Sequence, residues 1–394
     1  MRVFIAGIDG YLGWPLAIYL NARGHEVAGA DLLLRRQWVA EVGGDSALPI
    51  ASREERLEAY REATDLALDF RVGDLTDYAF VKEFFEEYQP EAVVHLGQMP
   101  SAPYSMMDQA HCVWTQRNNV INNLNILWAI KEVVPAAHLV KLGTMGEYGT
   151  PAVDIPEGFF EVEFRGRIDR LPFPRQAGSW YHQSKVHDSH NTQFATRIWG
   201  ARATDIMQGV VFGTRIPEMD DDWRMRTRLD FDQCFGTAIN RFCCQAVIGH
   251  PLTLFGLGKQ KRGFLPLADS MRCLALAVEN PPAAGEFRVF NQFENAYSIS
   301  ELACLVRDVA ANIGLAVEIK RYDNPRVEME EHYYNPDRKH LLDLGYEPTR
   351  DIKSVVKEML LDLRENRARI EARAELLIPD IRWDASRKRS EVIG

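Results

Sequence analysis

Val3-Phe4-Ile5-Ala6-Gly7-Ile8-Asp9-Gly10-Tyr11-Leu12-Gly13 decides the fold. Four apolar residues make a short buried strand. Three glycines follow, and then Leu12, Leu16, Ile18 and Leu20 recur at helical spacing. A strand, a glycine loop and a helix in that order form a dinucleotide-binding turn. The glycines permit the tight turn and let the backbone approach a diphosphate, and the helix N-terminus offers free N–H groups and positive dipole charge. The spacing G-x-x-G-x-x-G makes this loop one residue longer than G-x-G-x-x-G. Gly7, Asp9, Gly10, Tyr11, Leu12 and Gly13 are therefore the first candidate cofactor residues.

Outward from that loop, strand-like and helix-like runs alternate. Glu26–Ala30, Asp69–Val72, Ala92–Leu96 and Leu139–Leu142 read as strands. Tyr78–Tyr88 and Ala110–Val134 read as helices, with a charged helical piece near Arg53–Ala63. This order predicts an α/β fold, a Rossmann-type doubly wound parallel sheet with ligands beyond the carboxyl ends of its strands. The second half is less regular and punctuated by proline and glycine. It is expected to form a smaller substrate-binding lobe, giving a cofactor domain over 1–205 and a mainly substrate-binding lobe over 206–394. Late sheet elements return to the first domain, and a charged segment after about residue 364 has no assigned role.

The chain has 394 residues, 46% apolar and 26% charged, with 46 Lys+Arg against 56 Asp+Glu and a net charge of −10. That balance excludes disorder and argues against nucleic acid or an anionic membrane as partner. The six cysteines form no C-x-x-C pair, so buried thiols in a reducing compartment are expected, and no metal site. Met1-Arg2 leads into only a strand's worth of apolar residues, and no run approaches the ~20 of a membrane helix. A cytoplasmic protein is expected.

Asp31 ends the second strand, about 20 residues past the glycines, where an acid accepts the ribose hydroxyls of NAD. Arg35 and Arg36 follow and offer charge to a 2′-phosphate, but a carboxylate there repels one, so NAD is expected. Asp74 and Leu75 close the third strand, placed to flank adenine. Tyr181-His182-Gln183-Ser184-Lys185 sets a tyrosine four residues before a lysine, on one helix face. An ammonium and a cationic nicotinamide both favour the phenolate, which then takes a proton from a sugar hydroxyl as hydride leaves. Thr144, after the fifth strand, supplies a hydroxyl to the same oxygen.

Together these features resemble the extended short-chain dehydrogenase/reductases, the NAD-dependent nucleotide-sugar epimerases and dehydratases. Ser101-Ala102-Pro103-Tyr104-Ser105-Met106, Lys141–Thr150, Ser184–Asp188, Asn324–Glu328 and Glu331–Asn335 are similar to the sulfoquinovose synthase branch over nearly the whole chain. The resemblance implies a tightly held NAD, regenerated in each cycle. It implies oxidation of the sugar at C4 by Tyr181 and Lys185, with Thr144 and Met145 beside them and Glu147 and His182 as an acid/base pair. Water then leaves across C5 and C6, sulfite adds in that branch, and hydride returns. Leu96, Asn119 and Lys185 join the cofactor residues. Gln98, Ser101, Tyr104, Gln208, Asn240, Gln260, Arg262, Arg326 and Glu328 are implied for a UDP- or GDP-linked sugar. A homodimer built on the helix around Ala110–Val134 and the helix of Tyr181 is implied as well.

One stretch departs from that branch. Where the branch has Glu-Gln-Arg before Ser101, this chain has Gln98-Met99-Pro100. The change removes a cation suited to an oxyanion such as sulfite and suggests an apolar wall of proline and methionine. The expected enzyme therefore shares C4 oxidation but ends in epimerisation or dehydration, with UDP-sulfoquinovose formation as the alternative outcome. A cofactor-binding sensor without catalysis is the alternative of another class, and the presence of both Tyr181 and Lys185 argues against it.

Overall fold

A computed structural model describes residues 1–219, 221–329 and 331–393. Seven parallel strands form the central sheet, in the order Asp69–Val72, Glu26–Asp31, Arg2–Ala6, Ala92–His95, His138–Leu142, Arg202–Gln208 and Phe287–Gln292. The order reverses on either side of Arg2–Ala6, which opens a crevice at the carboxyl end of that strand. The two central strands are mostly apolar: Val3, Phe4, Ile5, Ala92, Val93 and Val94 are all fully buried. This is the composition a sheet covered on both faces requires. Phe4 packs edge-on against Phe84 and Phe85 of helix Tyr78–Tyr88 on one face. On the other face, Val3 and Ile5 join the core of Leu16, Ile18 and Leu20 from helix Gly13–Ala22.

The last strand of this sheet, Phe287–Gln292, comes from the second half, as does a three-stranded sheet of Val210–Phe212, Lys261–Pro266 and Asn295–Ser298. Helices Ala238–Ile248, Ile299–Ala311 and Ile352–Glu365 share a second core with strand Leu252–Phe255, which pairs with Ile319–Tyr322. The first of these helices starts at Ala238 because Thr237 caps it by accepting from Asn240 N–H. The sequence reading passed over an antiparallel hairpin, Phe159–Phe164 with Arg167–Pro172. Its turn residues Arg165 and Gly166 both have positive φ, at 53° and 73°, as a two-residue hairpin turn requires. The segment after residue 364 contains a second hairpin spanning residues 379–390.

Candidate active site

The glycine loop is folded on itself at the sheet crevice. Gly7 has φ +85°, and a Cβ there would lie 2.7 Å from the Gly97 backbone. A Cβ on Gly13 would lie 2.0 Å from the Gly7 carbonyl oxygen. Only glycine fits either position. Gly10 faces outward into a cavity of about 310 Å³, within the size range of small-molecule sites. Gly7, Tyr11, Leu12 and Gly13 line the same cavity. The Tyr11 and Leu12 N–H groups have no backbone acceptor among the described residues, so they are free for an anion.

Asp31, Asp74, Leu75 and Leu96 line one end of this cavity. The Asp31 carboxylate accepts from Leu33 N–H at 2.7 Å and Asp9 N–H at 3.1 Å. Burial, with Asp9 adding, raises its pKa to about 6, so at neutral pH it remains an acceptor. Two cofactor candidates belong elsewhere. The Asp9 side chain is turned inward, held by Arg36 at 2.7 and 2.8 Å and by the fully buried Arg56 at 2.9 Å. Arg36 is thereby committed to Asp9 and does not line the cavity. Arg35 does line it. Its guanidinium pairs with Asp230 at 2.7 Å and lies 4.0 Å from the Phe235 ring centroid. Its Nη1 is buried without a partner among the described residues, as is Oδ1 of the neighbouring cavity residue Asn240.

Thr144 and Tyr181 face the same cavity. Thr144 Oγ1 accepts from Gly146 N–H at 3.2 Å and caps the turn Met145–Glu147, which leaves its own hydroxyl proton free to donate. Helix Trp180–Trp199 carries Tyr181 and, one turn on, the buried Lys185. Lys185 Nζ lies 5.9 Å from the Tyr181 ring centroid and donates to Gln98 Oε1 and Leu142 O. Gln98 Nε2 donates in turn to Asp188 Oδ2 at 2.5 Å and Asn119 O at 3.1 Å. Burial and then Lys141 lower Lys185 to about 8, with Asp188 opposing. Burial raises Asp188 to about 7, with Lys141 and Lys185 opposing. Burial also pushes the Tyr181 phenol up, with Glu147 adding and Arg35 opposing. Lys185 therefore does not by itself bring that phenol near neutrality.

Other residues expected at the chemistry are placed differently. Glu147 is fully buried and saturated. Arg175 donates to Oε2 at 2.5 Å and Ser189 at 2.8 Å, while Oε1 takes Thr144 N–H at 3.2 Å and stands 3.5 Å from Lys141 Nζ. Burial would raise its pKa, but Lys141 and Arg175 outweigh it and hold the group ionised. It acts as the anchor of an ion cluster and has no proton to exchange at the cavity. Met145 packs with Tyr148, Phe173 and Met207 in an apolar cluster. Asn119 spends its amide on Met99 N, Met99 O and Ser184 Oγ, while Asn118 and Asn122 take the cavity wall. Tyr104 turns its hydroxyl to Glu41 at 2.7 Å, and Ser101 donates to Cys234 O at 2.6 Å. Met99 is buried behind the wall that Gln98 and Pro100 form, so the expected apolar pair contributes only its proline.

His182 accompanies Tyr181, ring centroids 5.0 Å apart, with Nδ1 2.9 Å from Ser179 Oγ. Burial and then Arg326 and Arg262 lower it to about 4, so the imidazole is neutral. Gln208 and Asn240 line the cavity. Gln260, near Arg262 in sequence, is buried and does not line the cavity, and its carbonyl accepts from Ile299 N–H. Arg262 pairs with Glu328 at 2.7 Å, and Glu328 also accepts from Asn324 at 3.3 Å. Arg326 stacks 5.5 Å from the Trp383 ring centroid. Sequence reasoning missed Arg175, Asp188 and Asp230. Only Asp188 carried a signal, because three residues past Lys185 falls on the same helix face.

A glycine loop at the switch point of a doubly wound sheet, with a threonine, a tyrosine and a lysine on one side of the crevice, defines a nucleotide-dependent oxidoreductase of the short-chain type. The chain belongs to the NAD dependent epimerase/dehydratase family, which it matches over residues 3–291. It is 46% identical over 384 residues to the UDP-sulfoquinovose synthase of Sulfolobus acidocaldarius, covering 97% of this chain and 98% of that protein. It is also 46% identical over 382 residues to the chloroplastic UDP-sulfoquinovose synthase of Spinacia oleracea, covering 97% and 79%. Among solved structures it resembles UDP-glucose 4-epimerase from Thermotoga maritima with UDP-glucose, at TM-score 0.68 and 18% identity over 93% of this chain and 99% of that one. The Thermus thermophilus UDP-glucose 4-epimerase complex with NAD gives TM-score 0.65 and 21% identity over 92% and 99%.

Proposed function

We propose that this enzyme transiently oxidises C4 of a UDP-linked hexose and uses the ketone to drive epimerisation or dehydration at C5 and C6. The observation that carries this reading is the convergence of Thr144 and Tyr181 on the cavity that the glycine loop lines. The donor set fits NAD: free loop N–H groups for the diphosphate, the Asp31 carboxylate for ribose hydroxyls, and Asp74, Leu75 and Leu96 beside the adenine. NAD supplies a hydride acceptor that later returns the hydride.

The chain's own groups carry the proton steps. The Tyr181 phenol is the base for the C4 hydroxyl, and the Lys185 ammonium beneath it favours the phenolate. Thr144 donates to the same sugar oxygen. A ketone at C4 acidifies the C5 proton, and the neutral imidazole of His182 is suited to accept it. Loss of that proton with departure of the C6 hydroxyl as water gives the dehydrated sugar, and return of the proton to the opposite face gives an epimer. Arg262 and Arg326 serve the diphosphate.

Gln98 and Pro100, the cavity-facing members of their stretch, bring no cation to an incoming oxyanion. This supports an outcome without sulfite. The second reading, UDP-sulfoquinovose formation, is favoured by 46% identity over nearly the full chain. Incubation with UDP-glucose in deuterated water, with and without sulfite, separates them by mass spectrometry and proton NMR. Deuterium at C5 or a new epimer without sulfonation is expected. A sulfonated product replaces the first reading with the second. Turnover of GDP-hexoses alone would overturn the assignment of the base. Tyr181→Phe should abolish turnover while ligands still bind, and a variant that kept turnover would remove Tyr181 from the chemistry.

A homodimer is also proposed. Val113, Ile121 and Trp128 on helix Gln109–Val133 and Phe194 and Ile198 on helix Trp180–Trp199 are exposed on two helices that pack together. Such a patch fits a second copy of the chain. No described helix is long and apolar enough to cross a membrane. Cytoplasmic placement is supported by six free cysteines.

A further inference from the structure

Residues 379–390 fold as a tight hairpin. Ser390 N–H donates to Pro379 O, Lys388 N–H to Asp380 O and Arg382 N–H to Ser386 O, and Ala385 turns the chain with φ +65°. The hairpin is fastened on two sides. Gln233 Oε1 accepts from the N–H groups of Asp380 and Ile381, at 2.8 and 3.1 Å. Ile381 is buried in the cluster of Met99, Tyr104, Cys234 and Phe235, against which Tyr181 also packs. On the other side, Arg382 pairs with Asp323 and donates to Asn324 O at 3.2 Å, and Ser390 Oγ donates to Asp323 O at 3.1 Å.

The tip of this hairpin carries Trp383. Its N–H donates to Pro325 O at 3.0 Å, and its ring lies 5.5 Å from the Arg326 guanidinium carbon. The ring also reaches Gly178, where a Cβ would lie 3.9 Å from its Cζ3. Gly178 immediately precedes Ser179, the N-cap of the helix that carries Tyr181 and Lys185. The ring thus neighbours both an arginine proposed to hold the diphosphate and the start of the helix that carries Tyr181. Arg326 has no carboxylate on its guanidinium among the described ion pairs, whereas Glu328 is taken by Arg262. Glu328 acts on Arg326 through its charge without pairing with it, and the aromatic face is the ring contact of the guanidinium.

We infer that Trp383 is a positioning residue for substrate: its ring holds the Arg326 guanidinium in the orientation that receives the diphosphate. The inference rests on the reading of the site as a UDP-sugar site. A desolvated cation–π contact holds the guanidinium in one orientation without neutralising it, which leaves its charge for the substrate. An acidic partner would satisfy the arginine and compete with a phosphate.

The test compares UDP binding by calorimetry with steady-state turnover in the intact holoenzyme. Trp383→Leu should weaken UDP binding roughly tenfold and raise KM by a similar factor, with kcat at saturation and bound NAD little changed. Trp383→Phe, which restores an aromatic face, should recover most of the affinity. Arg382→Ala, which frees the hairpin from Asp323 and Asn324 while leaving the ring intact, should reproduce the loss. In an Arg326→Met background, Trp383→Leu should cost nothing further. UDP affinity unchanged in Trp383→Leu while the wild type binds UDP overturns this inference alone. Additive losses in the Arg326→Met background also overturn it. Failure of the wild type to bind UDP overturns it together with the reading of the site.

Discussion

Gln98→Glu tests the electrostatics of the site most directly. Gln98 joins Lys185 to Asp188, accepting from one and donating to the other. Only the ammonium form of Lys185 favours a Tyr181 phenolate. Since Lys185 is lowered to about 8, kcat/KM of the wild type should fall as pH rises through about 8. A glutamate at 98 puts a carboxylate oxygen on Nζ, and an opposite charge at that range raises a pKa by about 1–3 units. Asp188, already raised to about 7, is pushed higher by the new like charge and keeps a proton between the two acids. The alkaline limb should therefore move up by about 1–3 units, at about 1.4 kcal/mol for each unit. The assay is kcat/KM for UDP-glucose across roughly pH 6 to 11, spanning the reference pKa values of these groups, with bound NAD measured at each pH. An alkaline limb that coincides with that of the wild type, NAD content being equal, would refute the assignment of that limb to Lys185.

Three further outcomes are expected. Arg175→Met leaves Glu147 buried with Lys141 as its remaining cation, 3.5 Å away, so urea unfolding should show a loss of about 3–5 kcal/mol. A loss under about 1 kcal/mol would mean that water reaches the carboxylate. Gly13→Ala drives a Cβ to 2.0 Å from the Gly7 oxygen, and the purified protein should carry little NAD and melt lower; a variant with full NAD content would show that the loop has another conformation. Phe194→Asp sets a charge in the proposed dimer face, and sedimentation should shift from dimer to monomer with the circular dichroism spectrum retained. A variant that still sediments as a dimer would move the interface elsewhere.

Much of this was legible in the sequence because it is local. The glycine loop, the strand–helix alternation and the Tyr181–Lys185 spacing each depend on neighbours within one turn or one strand. What could not be read depends on partners far along the chain. Nothing around Glu147 announces Arg175, 28 residues on, yet that guanidinium turns a candidate acid into an anchor. Asp9 sits inside the phosphate loop, but Arg36 and Arg56 draw its side chain away. Asn119 and Asn122 look equivalent along one helix, and only tertiary packing decides that Asn122 reaches the cavity. Trp383 lies in a charged run with no periodicity, and its hairpin is held by Gln233 and Asp323, about 150 and 60 residues away.

The position of strand Phe287–Gln292 has a consequence for synthesis. It borders Arg202–Gln208, and its partner's row of backbone donors and acceptors stays uncovered until residue 292 has left the ribosome. During that interval the growing chain carries a bare strand edge of seven residues, Arg202–Gln208, three of them the apolar Ala203, Ile206 and Met207. Such an edge is a template for other chains. Until residue 292 emerges, the nascent chain is open to edge-to-edge pairing in a way the finished enzyme no longer shows.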